Sequence, residues 1–450
     1  MAPSPRIIDV AAFLNDRKLS AFNYKLIILS WLITVFDGLD MMMVSFTAPY
    51  MRDEMGLSTL MLGNVFSAGT AGMVLGGLSF TYIGDRIGRR PTVVAAAFLF
   101  GLLTIATAFA NSYHSLLVLR FLDGIAIGGM LPLAWALNIE FVPRRMRATV
   151  VTIIMIGYSL GGTIAAPLTN WLAPHYGWEG VYLVGGIGTL LCAVGLFVYL
   201  PESIRFLVNQ RNQPERVVAL LRDIDPAFPA LVGDRFILGD EAAAPITFHM
   251  RELFRGRLAF ITPLIWLGYM ASSMAIYFTS SWGPIVLEAL DYPRDVAANA
   301  AAMSGLCGAF AGLLLMRFTD RFGARAVAFY PALAVPVLLL IGMDAAPPAY
   351  FLMIFLGSTI LVSGAHFGMI SITGIFYPSS IRASGAGWAA SIGKTAGVAG
   401  PIIGAVILSS DLPVLRSFAF LAICPAILFL CALGLTVTTR RRRAEEALAG

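Results

Sequence analysis

Asp85-Arg86-Ile87-Gly88-Arg89-Arg90 recurs as Asp320-Arg321-Phe322-Gly323-Ala324-Arg325, 235 residues further along the chain. A second stretch, Phe141-Val142-Pro143-Arg144-Arg145-Met146-Arg147-Ala148-Thr149, recurs as Phe376-Tyr377-Pro378-Ser379-Ser380-Ile381-Arg382-Ala383-Ser384 at the same offset of 235. Two unrelated loops sharing one offset argue for a duplicated chain. Each copy follows a long apolar run, and such runs recur throughout. The 450 residues are 58% hydrophobic and 13% charged, with a mean hydropathy of +0.80. That leaves too little polar surface to cover a water-soluble globule, so the solvent is a bilayer. The runs approach the ~20 residues a helix needs to cross about 30 Å of hydrocarbon, whereas a closed β-barrel would show short alternating segments.

The expected fold is therefore an all-α membrane protein with twelve spans: 24–49, 60–83, 91–110, 114–141, 148–172, 180–200, 258–288, 296–317, 325–343, 349–375, 383–408 and 413–437. Arg86, Arg89, Arg90, Arg144, Arg145, Arg147, Arg317, Arg321, Arg325 and Arg382 fall in loops on one side; Arg52, Arg294 and Arg416 fall on the other. Under the positive-inside rule the arginine-rich side is cytoplasmic, and the tail Arg440 to Arg443 joins it, so both termini are expected there. The segment 1–23 is polar and cytoplasmic. The run from Leu26 is too long for a signal-peptide core, which retains the first helix. Residues 201–257, broken by Pro201, Pro214, Pro226 and Pro229, form a cytoplasmic linker with short amphipathic helices. The linker separates a bundle at 24–200 from one at 258–437, with a cytoplasmic tail at 438–450. Six-plus-six parallel repeats suit a transporter that rocks two bundles about a midplane site. The net charge of +5 is spread between apolar runs instead of forming a basic patch, which argues against nucleic acid. Cys192, Cys307, Cys424 and Cys431 lie in apolar stretches without CxxC spacing and are packing residues.

These residues resemble the major facilitator superfamily, whose loop between helices 2 and 3 carries G-x-x-x-D-R-x-G-R-R. The chain matches that pattern from Asp85 to Arg90, with Thr81 where the pattern has glycine. A carboxylate at a helix end can pair with arginines of a neighbouring end in one conformation and release them in the other. Asp85, Arg86, Gly88, Arg89 and Arg90, with Asp320, Arg321, Arg325, Arg147 and Arg382, are thus gating candidates; the competing reading is that the arginines only enforce topology.

A closer resemblance, over nearly the whole chain, is to the aromatic acid:proton symporters within that superfamily. It rests on Asp37-Gly38-Leu39-Asp40, on Arg120-Phe121-Leu122-Asp123-Gly124 with Glu140, and on Pro201-Glu202-Ser203-Ile204-Arg205. Helix 11 adds Phe376-Tyr377-Pro378, Ile381-Arg382-Ala383, Gly387-Trp388 and Gly393-Lys394, where Lys394 replaces an expected arginine and gives up its planar fork. The resemblance implies import of a 4-hydroxybenzoate-, protocatechuate- or benzoate-like acid by proton symport. It further implies a bacterial inner membrane and a monomer.

A charge at the centre of a membrane helix costs roughly 2.5–3.5 kcal/mol on insertion scales, so each is a functional candidate. Asp37 and Asp40 lie three residues apart on one face of helix 1 and point at a shared cavity. Such paired carboxylates suit loading a proton on one side and releasing it on the other, with Asp123 and Glu140 as further proton-coupling candidates. A structural role, holding helices together, is the alternative. Of 31 cationic residues only Arg120 and Lys394 fall well inside apolar segments. Set against three carboxylates, they leave room for an anion. Lys394 lies about 18 Å from the cytoplasmic end of helix 11 at about 1.5 Å per residue, near the midplane, and is assigned to the substrate carboxylate; the alternative is a permanent salt bridge to Asp37 or Asp40, compatible with the first if substrate competes for the lysine. Arg120 either joins it or pairs with Asp123 or Glu140. His366 is a second-tier substrate candidate against a packing role.

Trp135, Tyr158, Tyr277, Phe278, Trp282 and Trp388 could stack on a ring, with Tyr277 and Trp388 favoured by depth. Glycines of helices 5 and 11 (Gly157, Gly161, Gly162; Gly393, Gly397, Gly400, Gly404) have the small-xxx-small spacing of closely packed, rocking helices. With no HExxH, Asp-rich metal motif or nucleophile elbow, neither enzyme, metal nor cofactor is expected. The rival functions are a porter for another organic anion, nicotinate or a sugar, an exporter, and a non-transporting sensor.

Overall fold

A computed structural model describes residues 6–211, 213–226, 228–229, 234–239, 250–378 and 381–449. The side chains of Asp320, Arg382 and the tail arginines lie outside the described residues. The first half builds α1 (Ala21–Met55), α2 (Thr59–Ile87), α3 (Arg89–Thr107) and α4 (Tyr113–Phe141), followed by one helical run, Arg147–Tyr199. Unbroken, those 53 residues would extend about 80 Å, over twice a hydrocarbon core. Gly177, at φ 73° and ψ 170°, breaks the run into α5 (147–176) and α6 (178–199). The second half builds α7 (Leu258–Glu288), α8 (Arg294–Phe322), α9 (Ala324–Gly342), α10 (Phe351–Phe376), α11 (Arg382–Leu408) and α12 (Ile423–Ala449), the last preceded by the short turn Arg416–Leu421. Among the described residues there are thus twelve crossings in an all-α membrane fold.

The duplication read from the loops is repeated in the packing. In the first bundle α1 packs on α5, α2 on α4 and α3 on α6; in the second α7 packs on α11, α8 on α10 and α9 on α12. Adding six to each number converts one set into the other. The repeated glycine of the two motifs has a common cause: Gly88 has φ 112° and Gly323 φ 64°, both in the left-handed half of backbone space, where a side chain is strained. Each turns the chain from one membrane helix directly into the next. Between bundles, α2 packs on α11, α5 on α8 and α1 on α7, a pattern that a two-fold exchange of the halves leaves unchanged.

The hydrophobic core is arranged unequally along the membrane normal. At the arginine-poor end one continuous core joins both bundles, including Met51, Phe66 and Trp178 from the first half and Trp282, Ala405 and Phe418 from the second. At the arginine-rich end each bundle has its own core. One contains Leu26, Phe141 and Leu200, the other Leu253, Ile372 and Tyr377. The bundles share one core at the arginine-poor end and have separate cores at the other.

The segment between the bundles is fastened to the first. Its helix Pro214–Ile224 buries Val217, Val218, Leu221 and Ile224 in a core shared with Val10 and Leu14 of the N-terminal segment. Strand β1 (Ile7–Asp9) pairs in parallel with β2 (Arg235–Ile237), Ile8 opposite Phe236. Arg6 bridges Asp234 at 3.1 Å, and the Asp9 carboxylate accepts the N–H of Gly239. The expectation of a merely polar N-terminal segment overlooks Ile7, Ile8, Val10, Phe13 and Leu14; their strand partner lies more than 220 residues away, beyond any local pattern.

Candidate functional site

Most of the charged residues expected inside the membrane converge between α1, α4 and α11. Arg120 is buried, and its Nη1 donates to Asp40 at 3.1 Å and to Asp123 at 2.8 Å; the Thr104 hydroxyl supports Asp123 from α3 at 3.4 Å. Asp40 and Asp123 are likewise buried, so the three make a closed, desolvated ion cluster. Such a cluster is strongly destabilised by loss of one partner. Arg120 is therefore committed to carboxylates within its own bundle, with Tyr182 beside it.

Asp37 is different. It has no exposed surface, and neither carboxylate oxygen has a hydrogen-bond partner among the described residues. Nearly all buried polar atoms in proteins are paired, so an orphaned carboxylate marks a group whose partner comes and goes. Across the bundle interface Lys394 senses the Asp37 charge, yet no carboxylate lies within 4.0 Å of it among the described residues. The aromatic neighbours of Asp37 are Tyr158 of α5 and Tyr277 of α7, both within its electrostatic reach. Glycine makes that proximity possible: a Cβ on Gly38 would run into the Tyr158 backbone, and one on Gly397 would sit 2.7 Å from the Tyr277 ring.

The remaining candidates lie elsewhere. His366 forms a separate cluster in the second bundle, its Nδ1 3.1 Å from the Ser272 hydroxyl and its ring edge-on to Tyr269 at 5.9 Å. Trp388 is 41% exposed and stacks at 6.5 Å on Trp266, on another face of α11 from Lys394. Glu140 sits about 26 Å along α4 from Asp123, counting about 1.5 Å per residue, and is not part of the charged cluster. It pairs with Arg89 and accepts the Ser203 hydroxyl at 2.6 Å. Beside it Glu202 accepts the backbone N–H of Arg89, Arg90 and Ser203 at 2.9, 3.1 and 2.8 Å. Asp85 and Arg86 are exposed; Arg86 lies over the Tyr82 ring at 4.2 Å. Arg147 donates to the Val142 carbonyl and Arg321 lies over the Phe322 ring. Arg89, Arg90, Glu140 and the Pro201-Glu202-Ser203 tract are thus one network, a link invisible in sequence because its parts are about 50 to 110 residues apart.

Sequence reasoning also missed a clamp across the arginine-poor end. Glu288 of α7 accepts Arg52 of α1 at 3.2 Å and Arg294 of α8 at 3.0 Å, and Arg294 also pairs with Asp53. Asn170 reaches from α5 to the Asp295 carbonyl and to Asn299, both at 3.3 Å. Deeper, the Ser67 hydroxyl of α2 donates to the Val398 carbonyl of α11 at 2.7 Å. Arg52 and Arg294 stand in sequence only as sparse loop charges. Among the described residues no group of histidine, cysteine and carboxylates is placed to hold a metal.

A family model described as Major Facilitator Superfamily matches residues 30–401. Over 420 residues the chain is 31% identical to a gallate transporter from Pseudomonas putida, covering 92% of each protein. It is 32% identical over 407 residues to the 4-hydroxybenzoate transporter PcaK of Pseudomonas aeruginosa, covering 90% of this chain and 91% of that one. Among solved structures, a partially occluded inward-open form of the xylose transporter XylE from Escherichia coli superposes with a TM-score of 0.70. Its identity is 18%, with 92% and 97% of the two chains covered, a likeness of fold alone.

Proposed function

Because the chain belongs to the major facilitator superfamily and groups with its aromatic-acid transporters, we propose that it imports a small aromatic carboxylate by proton symport through alternating access. The observation that carries this reading is the buried Asp37 carboxylate, without a hydrogen-bond partner among the described residues, within electrostatic reach of Lys394 of the other bundle. Asp37, Asp40 and Asp123 against Arg120 and Lys394 leave one formal negative charge in a low-dielectric interior. An incoming anion would deepen that imbalance, and a proton on Asp37 offsets it. Substrate carboxylate and proton then enter as a neutral pair. That neutrality is the coupling.

Lys394 takes the carboxylate, Tyr158 and Tyr277 flank the ring, and the Arg120 cluster stays locked as scaffold. With the arginine-rich end cytoplasmic, the end with separate cores faces inward and the clamped end faces outward in a bacterial inner membrane. Benzoate-like acids fit this reading because the relatives named above carry aromatic rings bearing a carboxylate. The gate at Asp85 and Arg86 pairs with the Asp320 to Arg325 loop only once the inner end closes.

The test is uptake of radiolabelled 4-hydroxybenzoate, with gallate, benzoate and protocatechuate as competitors, in cells with and without a protonophore. Wild-type protein should accumulate label and lose accumulation on uncoupling. Asp37→Asn should abolish accumulation while preserving substrate exchange, and Lys394→Ala should weaken apparent affinity about 10- to 100-fold, the worth of one charged hydrogen bond. Protonophore-insensitive accumulation would sink the coupling scheme. Absence of competition by every aromatic acid would remove the substrate class.

A further inference from the structure

Outside the transport pathway, two adjoining cavities of about 470 and 740 Å³ open at the arginine-rich end of the first bundle. They share Arg90 and Arg216 in their walls and form one trough between the start of α3, the end of α6 and the helix Pro214–Ile224. From Arg90 the wall continues as Val94 and Phe98 along α3, reaching about 12 Å deeper at about 1.5 Å per residue. Phe197, more than half exposed, forms the opposite side. The trough is thus apolar where it descends and cationic at its mouth.

Three cations meet at that mouth. Arg90 donates one Nη2 hydrogen to the Phe197 carbonyl at 2.8 Å, while its Nε is buried without a hydrogen-bond partner among the described residues. Lys25 at the start of α1 lies 3.5 Å over the Tyr199 ring, and Arg216 is exposed on the linker helix. Among the described residues none of the three has an ion pair. Two carboxylates also line the trough. Glu202 is already occupied by three backbone N–H groups, and Asp223 stands on the linker helix beyond Arg216.

We propose that this trough is a binding site for a phospholipid with a net negative headgroup, its phosphate against Arg90, Lys25 and Arg216 and an acyl chain along Val94 and Phe98. The charge gradient matches that ligand and no soluble one: a free phosphate has no use for the descending apolar wall, and a neutral lipid none for three unpaired cations. Occupancy would tie the linker helix to the membrane surface beside the gating loop.

The test is native mass spectrometry of the purified full-length protein in mixed micelles containing equal phosphatidylglycerol and phosphatidylcholine, with thermal unfolding in parallel. Wild type should retain phosphatidylglycerol preferentially. Lys25→Gln and Arg216→Gln should each cut that retention about fivefold, leaving phosphatidylcholine unchanged. Asp223→Asn should raise it, an opposite sign that misfolding cannot produce. Equal retention of the two lipids, or of phosphatidylglycerol by wild type and a double variant carrying Lys25→Gln and Arg216→Gln, overturns the proposal. So does equal thermal stabilisation by inorganic phosphate alone, which would make the ligand a soluble anion.

Discussion

Asp37 and Arg120 are both buried charges in apolar helices, yet the structure gives them opposite circumstances. Arg120 is held by two aspartates and Asp37 by none. Arg120→Gln leaves Asp40 and Asp123 buried and uncompensated, so it should destabilise the protein by about 3–5 kcal/mol. Thermal unfolding in detergent would report this as a large fall in midpoint, partly recovered in the double variant Arg120→Gln, Asp123→Asn. Asp37→Asn should leave the midpoint nearly unchanged, since no partner is lost. These residues were legible because a charge inside a run of leucine, isoleucine and glycine is costly and stands out, although the sequence left a structural role open beside a functional one. The sequence offered Asp123 or Glu140 as partner of Arg120 and the pair with Asp123 is present, but the second partner, Asp40, was not legible, because Asp40 and Glu140 differ only in what faces them from other helices. Glu140 shows the limit: the same residue type, on the same helix as Asp123, serves the loop network instead of the charged cluster.

The helices themselves follow from hydrophobic runs closed by local signals, and most expected spans fall within a few residues of the observed ones. The exceptions have local causes. Helix continues past residue 172 through Pro174 to Gly177, where positive φ turns the chain without a loop. The last helix carries its backbone beyond 437 to Ala449, because arginine, glutamate and alanine favour helix regardless of a membrane. Contacts between helix ends follow no such rule. The clamp of Arg52, Asp53, Glu288 and Arg294 joins α1, α7 and α8 through partly exposed groups, each pair worth about 0.2–1 kcal/mol. Arg294→Gln removes two of these contacts together. It should raise alkylation of a cysteine placed at Ser67 by a membrane-impermeant reagent several-fold, as α2 and α11 separate more often. Unchanged labelling would mean that the shared core, not the clamp, holds this end shut.

At the scale of the whole molecule, the 235-residue offset between two short motifs anticipates the matched packing of six helices on six. The asymmetry between the ends was not legible, since one sequence must serve both conformations. Two engineered cross-links separate rigid parts from moving ones. A disulfide between Ile8→Cys and Phe236→Cys, opposite one another in the parallel strand pair, joins residues of one rigid body and should leave transport intact. A disulfide between Asn170→Cys and Asn299→Cys, whose native side chains touch across the bundles, should arrest transport until reduced.

The strand pair also says where the polypeptide can be interrupted. The described linker segments Pro214–Ile224 and 235–239 are fastened to the first bundle and the N-terminal segment, and Leu253 already belongs to the core of the second. The peptide link between the halves is then a matter of delivery, not of architecture. Two genes, one encoding residues 1–245 and one a start methionine followed by 246–450, should yield fragments that find each other in the bilayer and restore uptake. Failure to co-purify would mean that covalent continuity supplies cohesion which the shared core does not.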